Sequence, residues 1–194
     1  MVLAAGLSTR MGAFKPLLPL GDGTVLESAI ATLRDGGVTD VIVVTGHRGD
    51  ELDPAIARAR ARRAHNPRFA DGMYTSVQAG VAALPGDIDA FFLLPCDIPR
   101  AGAATVRELA LARAEAGDPA SLYPTHQGRR GHPPLIAARL IPEILAADPA
   151  GGLRELLRAH DALEIEVDEP GILRDLDTRE SYLQVSGRNA QSSD

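Results

Sequence analysis

Residues 1–17 read MVLAAGLSTRMGAFKPL, an apolar β-rich start that runs directly into a loop punctuated by Gly6 and Gly12 and carrying two cations, Arg10 and Lys15. Outward from this stretch the same alternation repeats. Apolar runs at residues 40–45 (DVIVVT) and 89–94 (DAFFLL), with shorter ones at 121–123 and 134–137, are separated by helix-like stretches at 24–34, 50–60, 75–84 and 103–115. Strands that are apolar on both faces and separated by amphipathic helices predict a mostly parallel central sheet covered on both sides, a three-layer α/β/α sandwich. In such sheets the ligand crevice lies beyond the carboxyl ends of the strands, so the loops that follow them are where chemistry is sought.

After residue 138 the pattern loosens into short helical stretches at 140–146 and 153–160 and a β-like EIEV at 164–167, read as a lid or flank of the same unit. Proline and glycine mark the junctions without forming a linker, so one domain is expected over residues 1–185, with 186–194 a polar, disordered tail. A chain of 194 residues suits one core. With 45% apolar and 24% charged residues the composition is that of a globular protein, and no apolar run reaches the length needed to span a bilayer. The first residues lack a secretory leader and there is a single cysteine, which predicts a cytoplasmic location without disulfides. A net charge of −6 argues against coating nucleic acid. Neither nucleic acid nor membrane is an expected partner, and a polyanionic ligand would have to be held locally by backbone N–H groups, a few cations and a divalent metal.

The local clusters therefore carry the chemistry. Glycines at 6 and 12 let a backbone approach a triphosphate, although their spacing alone also fits an ordinary strand-to-helix turn, and neither GxxxxGK[ST] nor GxGxxG is present. The strand at 89–94 ends in PCDIP, which places Asp97 where a carboxylate suits magnesium or, alternatively, caps the following turn. Near the end, RDLDTRE offers Asp175 and Asp177; Asp177 is the favoured second metal contact, although Asp177 or Thr178 would also cap a helix starting near residue 179. Thr45 and Gly46 end the second strand, where a glycine would let a base lie against the backbone, and His47 reads as a solvated loop residue. In ADGMYTSVQAG (70–80), Thr75 and Ser76 stand near a helix start and either read a base edge or cap the helix. Arg129, Arg130 and His132 flank or occupy the Gly131-His132-Pro133 element, which suits an anionic phosphate or a solvated turn. Cys96 is assigned to packing.

Taken whole, LAAGLSTRMGAFK is far less ordinary than its glycines. It resembles the signature LAAGxSxRMGxxK of the nucleotidyltransferases related to molybdenum-cofactor cytidylyl- and guanylyltransferases, a group that extends to sugar-phosphate nucleotidyltransferases. The resemblance implies a nucleotide-diphospho-sugar transferase-like fold in which Leu3, Ala4, Ala5, Gly6, Ser8, Arg10, Met11, Gly12 and Lys15 wrap the incoming NTP. It implies catalytic roles for Arg10, Lys15 and Asp97, with the Asp97 of PCDIP holding Mg2+. RDLDTRE resembles the family ending D-[IV]-D-T-P-E-D, with Arg179 in place of proline, and implies Asp177 as a further metal ligand. Thr45, Gly46, Thr75 and Ser76 then lie at the base, and LAAG with YTSV resembles the cytidylyl branch rather than the guanylyl one. Arg130, Gly131, His132 and Pro133 resemble its acceptor element. The implied reaction moves CMP from CTP to a molybdopterin-type acceptor with release of pyrophosphate, and a molybdenum hydroxylase is the client such a product would serve. A GTP- or UTP-using enzyme on the same scaffold and a non-catalytic, cofactor-binding maturation chaperone are the alternatives.

Overall fold

The computed structural model describes residues 1–7 and 13–186. The chain opens with β1 (Val2–Ala4), a small antiparallel hairpin of β2 (Pro19–Leu20) and β3 (Gly23–Thr24), and α1 (Val25–Asp35). Then come β4 (Ile42–Thr45), α2 (Asp53–Arg58), β5 (Arg62–His65), α3 (Met73–Ala82), β6 (Ala90–Phe92), β7 (Leu94–Pro95) and α4 (Ala103–Ala116). The last third carries β8 (Ser121–His126), β9 (Arg129–Arg130), β10 (Leu135–Ala137), α5 (Ile141–Ala146), α6 (Gly152–Arg158), β11 (Ala162–Glu166) and α7 (Arg179–Ser186). Among the described residues no helix is long and apolar enough to cross a membrane.

Two sheet halves, β5-β4-β1-β7 and β11-β8-β10-β6, meet where β6 passes into β7. At that junction Leu93 N–H donates to Pro134 on one side and Leu94 N–H to Met1 on the other. β1 pairs in parallel with both β4 and β7, whereas β10 runs antiparallel to β6 and β8. Alternation along each strand then decides the layers. Val2, Ala4, Val43 and Leu94 face one core with α1, α2, α4 and α7, while Leu3, Ile42, Val44 and Leu93 face a second core with α3, α5 and α6. The result is the expected three-layer sandwich on a mostly parallel sheet.

Sequence and structure differ in two places. The EIEV segment is no lid: β11 pairs in parallel along β8 from Ala162↔Ser121 to Glu166↔Thr125 and so extends the sheet. Its exposed–intermediate alternation is that of an edge strand with one face in solvent. The helical pattern at 50–60 is instead a 3-10 turn, Gly49–Leu52, followed by the short α2, after which residues 62–65 form the other edge strand. Arg62-Arg63-Ala64-His65 buries only Ala64, which is why no apolar period announced it.

Candidate active site

The parallel register sets the carboxyl ends of three strands side by side: Ala4 lies against Thr45 and Leu3 against Pro95. Beyond them is a pocket of about 370 Å³ lined by Leu3, Ala4, Ala5, Gly6, Lys15, Pro16, Phe69, Met73, Ser76, Pro95, Cys96, Asp97 and Asp177. Ser8, Arg10, Met11 and Gly12, which the sequence also nominated, lie outside the described residues.

Lys15 opens the 3-10 turn Lys15–Leu17, whose second residue, Pro16, is buried. Its ammonium sits between two carboxylates, 2.8 Å from Asp177 Oδ1 and 3.3 Å from Asp97 Oδ2. Burial pulls its pKa down, but hydrogen bonding and Coulombic attraction from Asp177 and Asp97 outweigh that, and the net position is above the ordinary lysine range. Asp97 follows β7 by two residues. Asp177 arrives from the opposite end of the chain because Leu176 is fully buried and donates its N–H to the Asp97 carbonyl at 2.8 Å. Thr178 caps α7, accepting the Ser181 N–H at 3.0 Å, so the capping role open to either residue falls to Thr178 and Asp177 faces Lys15. Asp175 is exposed and does not line the pocket. Two carboxylates sharing one cation fit a hard divalent ion that keeps waters and takes further oxygens from a phosphate ligand. Among the described residues no group of three or more His, Cys, Asp or Glu could hold a metal by itself.

Cys96 is buried in the first core, and burial, reinforced by the Asp97 charge, pushes its thiol pKa far up, which agrees with a packing role. At the second strand end Thr45 is fully buried and its hydroxyl accepts from Arg63 at 3.0 Å, within a cluster in which Arg63 also pairs with Asp50 and Asp53. Thr45 thus anchors the following loop and is absent from the pocket lining. A Cβ on Gly46 would lie 2.5 Å from the Phe69 Cβ, so this glycine admits the Phe69 ring over the strand end. His47 is not solvated as expected: it is half-buried between Phe14 and Phe69, at ring distances of 6.4 and 6.0 Å.

α3 starts at the pocket on Gly72, without a side-chain cap, so neither Thr75 nor Ser76 caps it. Both hydroxyls instead accept from the buried Asn66 side-chain amide at 2.9 Å. Thr75 donates onward to the Arg68 or Gly72 carbonyl, both at 2.8 Å. Ser76, which lines the pocket, donates to no acceptor among the described residues. Sequence reading did not single out Asn66, Phe69 or Met73 as site residues. Met73 is 70% exposed at the helix start, an apolar side chain left in solvent that only the structure reveals.

The element at 131–133 sits beside this pocket without lining it. Gly131 is pressed against Ile172, and His132 N–H donates to the Ile172 carbonyl at 3.0 Å. The buried His132 Nδ1 has no hydrogen-bond partner among the described residues. Burial lowers the His132 pKa, opposed by the nearby Asp97 charge and a hydrogen bond to the Leu93 backbone. Pro133 is buried behind it. Arg130 turns outward, pairing with Glu164 at 2.7 Å and stacking 4.5 Å over Tyr123.

A family model described as the MobA-like NTP transferase domain matches residues 1–163. The molybdenum cofactor cytidylyltransferase of Escherichia coli K12 is 30% identical over 97% of this chain and 95% of its own length. The nicotine blue oxidoreductase of Paenarthrobacter nicotinovorans is 31% identical over 95% of this chain and 94% of its own. A solved nucleotidyl transferase from Methanothermobacter thermautotroptrophicus superposes with a TM-score of 0.81 at 26% identity, covering 96% of this chain and 94% of that one. The matched region runs from the first strand into β11, the last strand, and includes Lys15 and Asp97, and the chain belongs to the MobA-like NTP transferase family.

Proposed function

We propose that this chain is a Mg2+-dependent nucleotidyltransferase that moves CMP from CTP to a molybdopterin-type acceptor with release of pyrophosphate. The observation that carries the reading is the Lys15 ammonium held between Asp97 and Asp177 in a pocket at the carboxyl ends of three strands. That set answers what phosphoryl transfer asks of a protein, which is positioning and neutralisation of charge spread over phosphate oxygens. Asp97 and Asp177 would hold the Mg2+, which when bound neutralises phosphate charge. Lys15, with Arg10 as the second cation, steadies the leaving pyrophosphate. The open, exposed Gly6 lets the loop backbone come close to the triphosphate, since a Cβ there would meet nothing among the described residues within 4 Å. Ala5, Phe69, Met73 and Ser76 form the side of the pocket suited to a base: apolar surface for a ring and one hydroxyl as hydrogen-bond donor. The similarity to the E. coli cytidylyltransferase over nearly the full length supports CTP and a molybdopterin acceptor, with the Gly131-His132-Pro133 element beside the pocket on the acceptor side and a molybdenum hydroxylase as client.

A second reading has one specific observation behind it, the nearly full-length similarity to an oxidoreductase. The carboxylate pair around Lys15 favours transfer, because a triphosphate with its metal needs those charges and a hydride acceptor does not. Pyrophosphate release, measured with each of the four NTPs, molybdopterin and Mg2+, separates the readings. Release with CTP alone is the expected result. Release only with GTP would reassign the nucleotide. No release with any NTP, together with reduction of nicotine blue by an added electron donor, would replace transfer by redox chemistry.

A further inference from the structure

We propose that Lys15 is a placeholder cation: in the protein without nucleotide its ammonium occupies the position between Asp97 and Asp177 that a divalent ion would bridge. Metal alone is thereby held off, and it enters with a nucleoside triphosphate that draws Lys15 from at least one carboxylate. The inference rests on the metal reading above and adds an order of events to it.

Three independent observations point this way. The contacts of 2.8 and 3.3 Å put one point charge between two carboxylates that converge from residues 80 positions apart, where it cancels their mutual repulsion as an ion would. The described residues supply only this pair, and two carboxylates hold magnesium weakly until phosphate oxygens complete its shell. Of the 20 lysine and arginine residues in the sequence, Lys15 is the only lysine. The distinction is chemical: a guanidinium fork tends to lock on one carboxylate in a bidentate pair, whereas a compact ammonium on a flexible stem can be shared between two and exchange partners.

The test is Mn2+ binding without nucleotide, followed by the electron paramagnetic resonance signal of free Mn2+, in the wild type, Lys15→Met, Lys15→Gln and the double variant Lys15→Met with Asp97→Asn. Lys15→Met and Lys15→Gln are expected to bind Mn2+ at least about tenfold more tightly than the wild type, and the double variant to lose the gain. Equal Mn2+ affinity in wild type and both single variants, abolished in the double variant, would overturn the placeholder role and leave the metal site standing. Tight binding that survives in the double variant would overturn both. The wild type supplies a check that needs no variant, because biosynthetic labelling with 13C at the lysine ε-carbon yields one lysine signal. It should stay in place with Mg2+ alone and shift when CTP accompanies the same Mg2+ concentration. A shift of equal size with Mg2+ alone would refute the proposal.

Discussion

Replacing Asn66 by alanine tests whether one buried amide holds the α3 side of the pocket. Asn66 is 2% exposed, donates to the Thr75 and Ser76 hydroxyls at 2.9 Å each, and accepts the Arg68 N–H at 2.9 Å. Its own N–H bonds to the Thr45 carbonyl, and alanine keeps that bond. Three side-chain bonds are therefore lost, two hydroxyls and one amide lose a buried partner, and a small void opens. At about 1 kcal/mol for each bond, with the void added, the loss of unfolding free energy is about 2–4 kcal/mol. In a domain of this size that lowers Tm by roughly 5–15 °C. Urea unfolding followed by circular dichroism measures it directly. The functional consequence is separate: Ser76 loses the partner that orients its hydroxyl, so KM for the nucleotide should rise in Asn66→Ala at a temperature where the variant is still folded. Ser76→Ala should show the same rise with a much smaller loss of stability. A stability loss below about 1 kcal/mol in Asn66→Ala would show that the network carries no weight and that α3 is positioned by packing alone.

Three further outcomes follow from the same geometry. Asp97→Asn is nearly isosteric and should leave the unfolding midpoint close to that of the wild type while lowering kcat about a hundredfold or more, because a neutral amide is a poor ligand for a hard divalent ion; near-normal turnover at limiting Mg2+ would remove Asp97 from the metal site. Ala5→Gly removes a methyl from the pocket wall and should shift the CTP-to-GTP ratio of kcat/KM toward GTP by no more than about 1–3 kcal/mol; an unchanged ratio places the base elsewhere. Burial holds the His132 pKa below its ordinary value, so the unfolded chain takes up the proton first and stability is full above about pH 6.5 and falls as pH drops through the folded pKa. In His132→Gln the dependence of unfolding free energy on pH below about 6.5 should flatten relative to wild type, and an identical slope in the two proteins would assign the dependence to other groups.

Much of this molecule is legible in one dimension. The apolar runs at 1–5, 40–45 and 89–94 are central strands, since burial on both faces leaves no polar alternation to confuse them with anything else. The glycine loop and PCDIP follow strand ends at once, which is where a ligand crevice is expected in such a sheet. The edge strand at 62–65 stayed hidden, as a strand with a single buried residue carries almost no hydrophobic signal, and β11 looked like a flank because its pairing with β8 is a long-range fact. The chain's own order says nothing of which distant groups meet. Asp177 faces Lys15 only because Leu176 is buried against the Asp97 backbone and Thr178 takes the cap of α7. Asn66 supports Ser76 only because β5 emerges beside the start of α3, and His47 is wedged between aromatic rings only because Gly46 admits Phe69. Local sequence determined which segments could be strands, helices and ligand loops, because propensity and periodicity act over a few residues. Tertiary packing alone decided which carboxylates share a cation, because that depends on where buried residues far apart in the chain bring their neighbours.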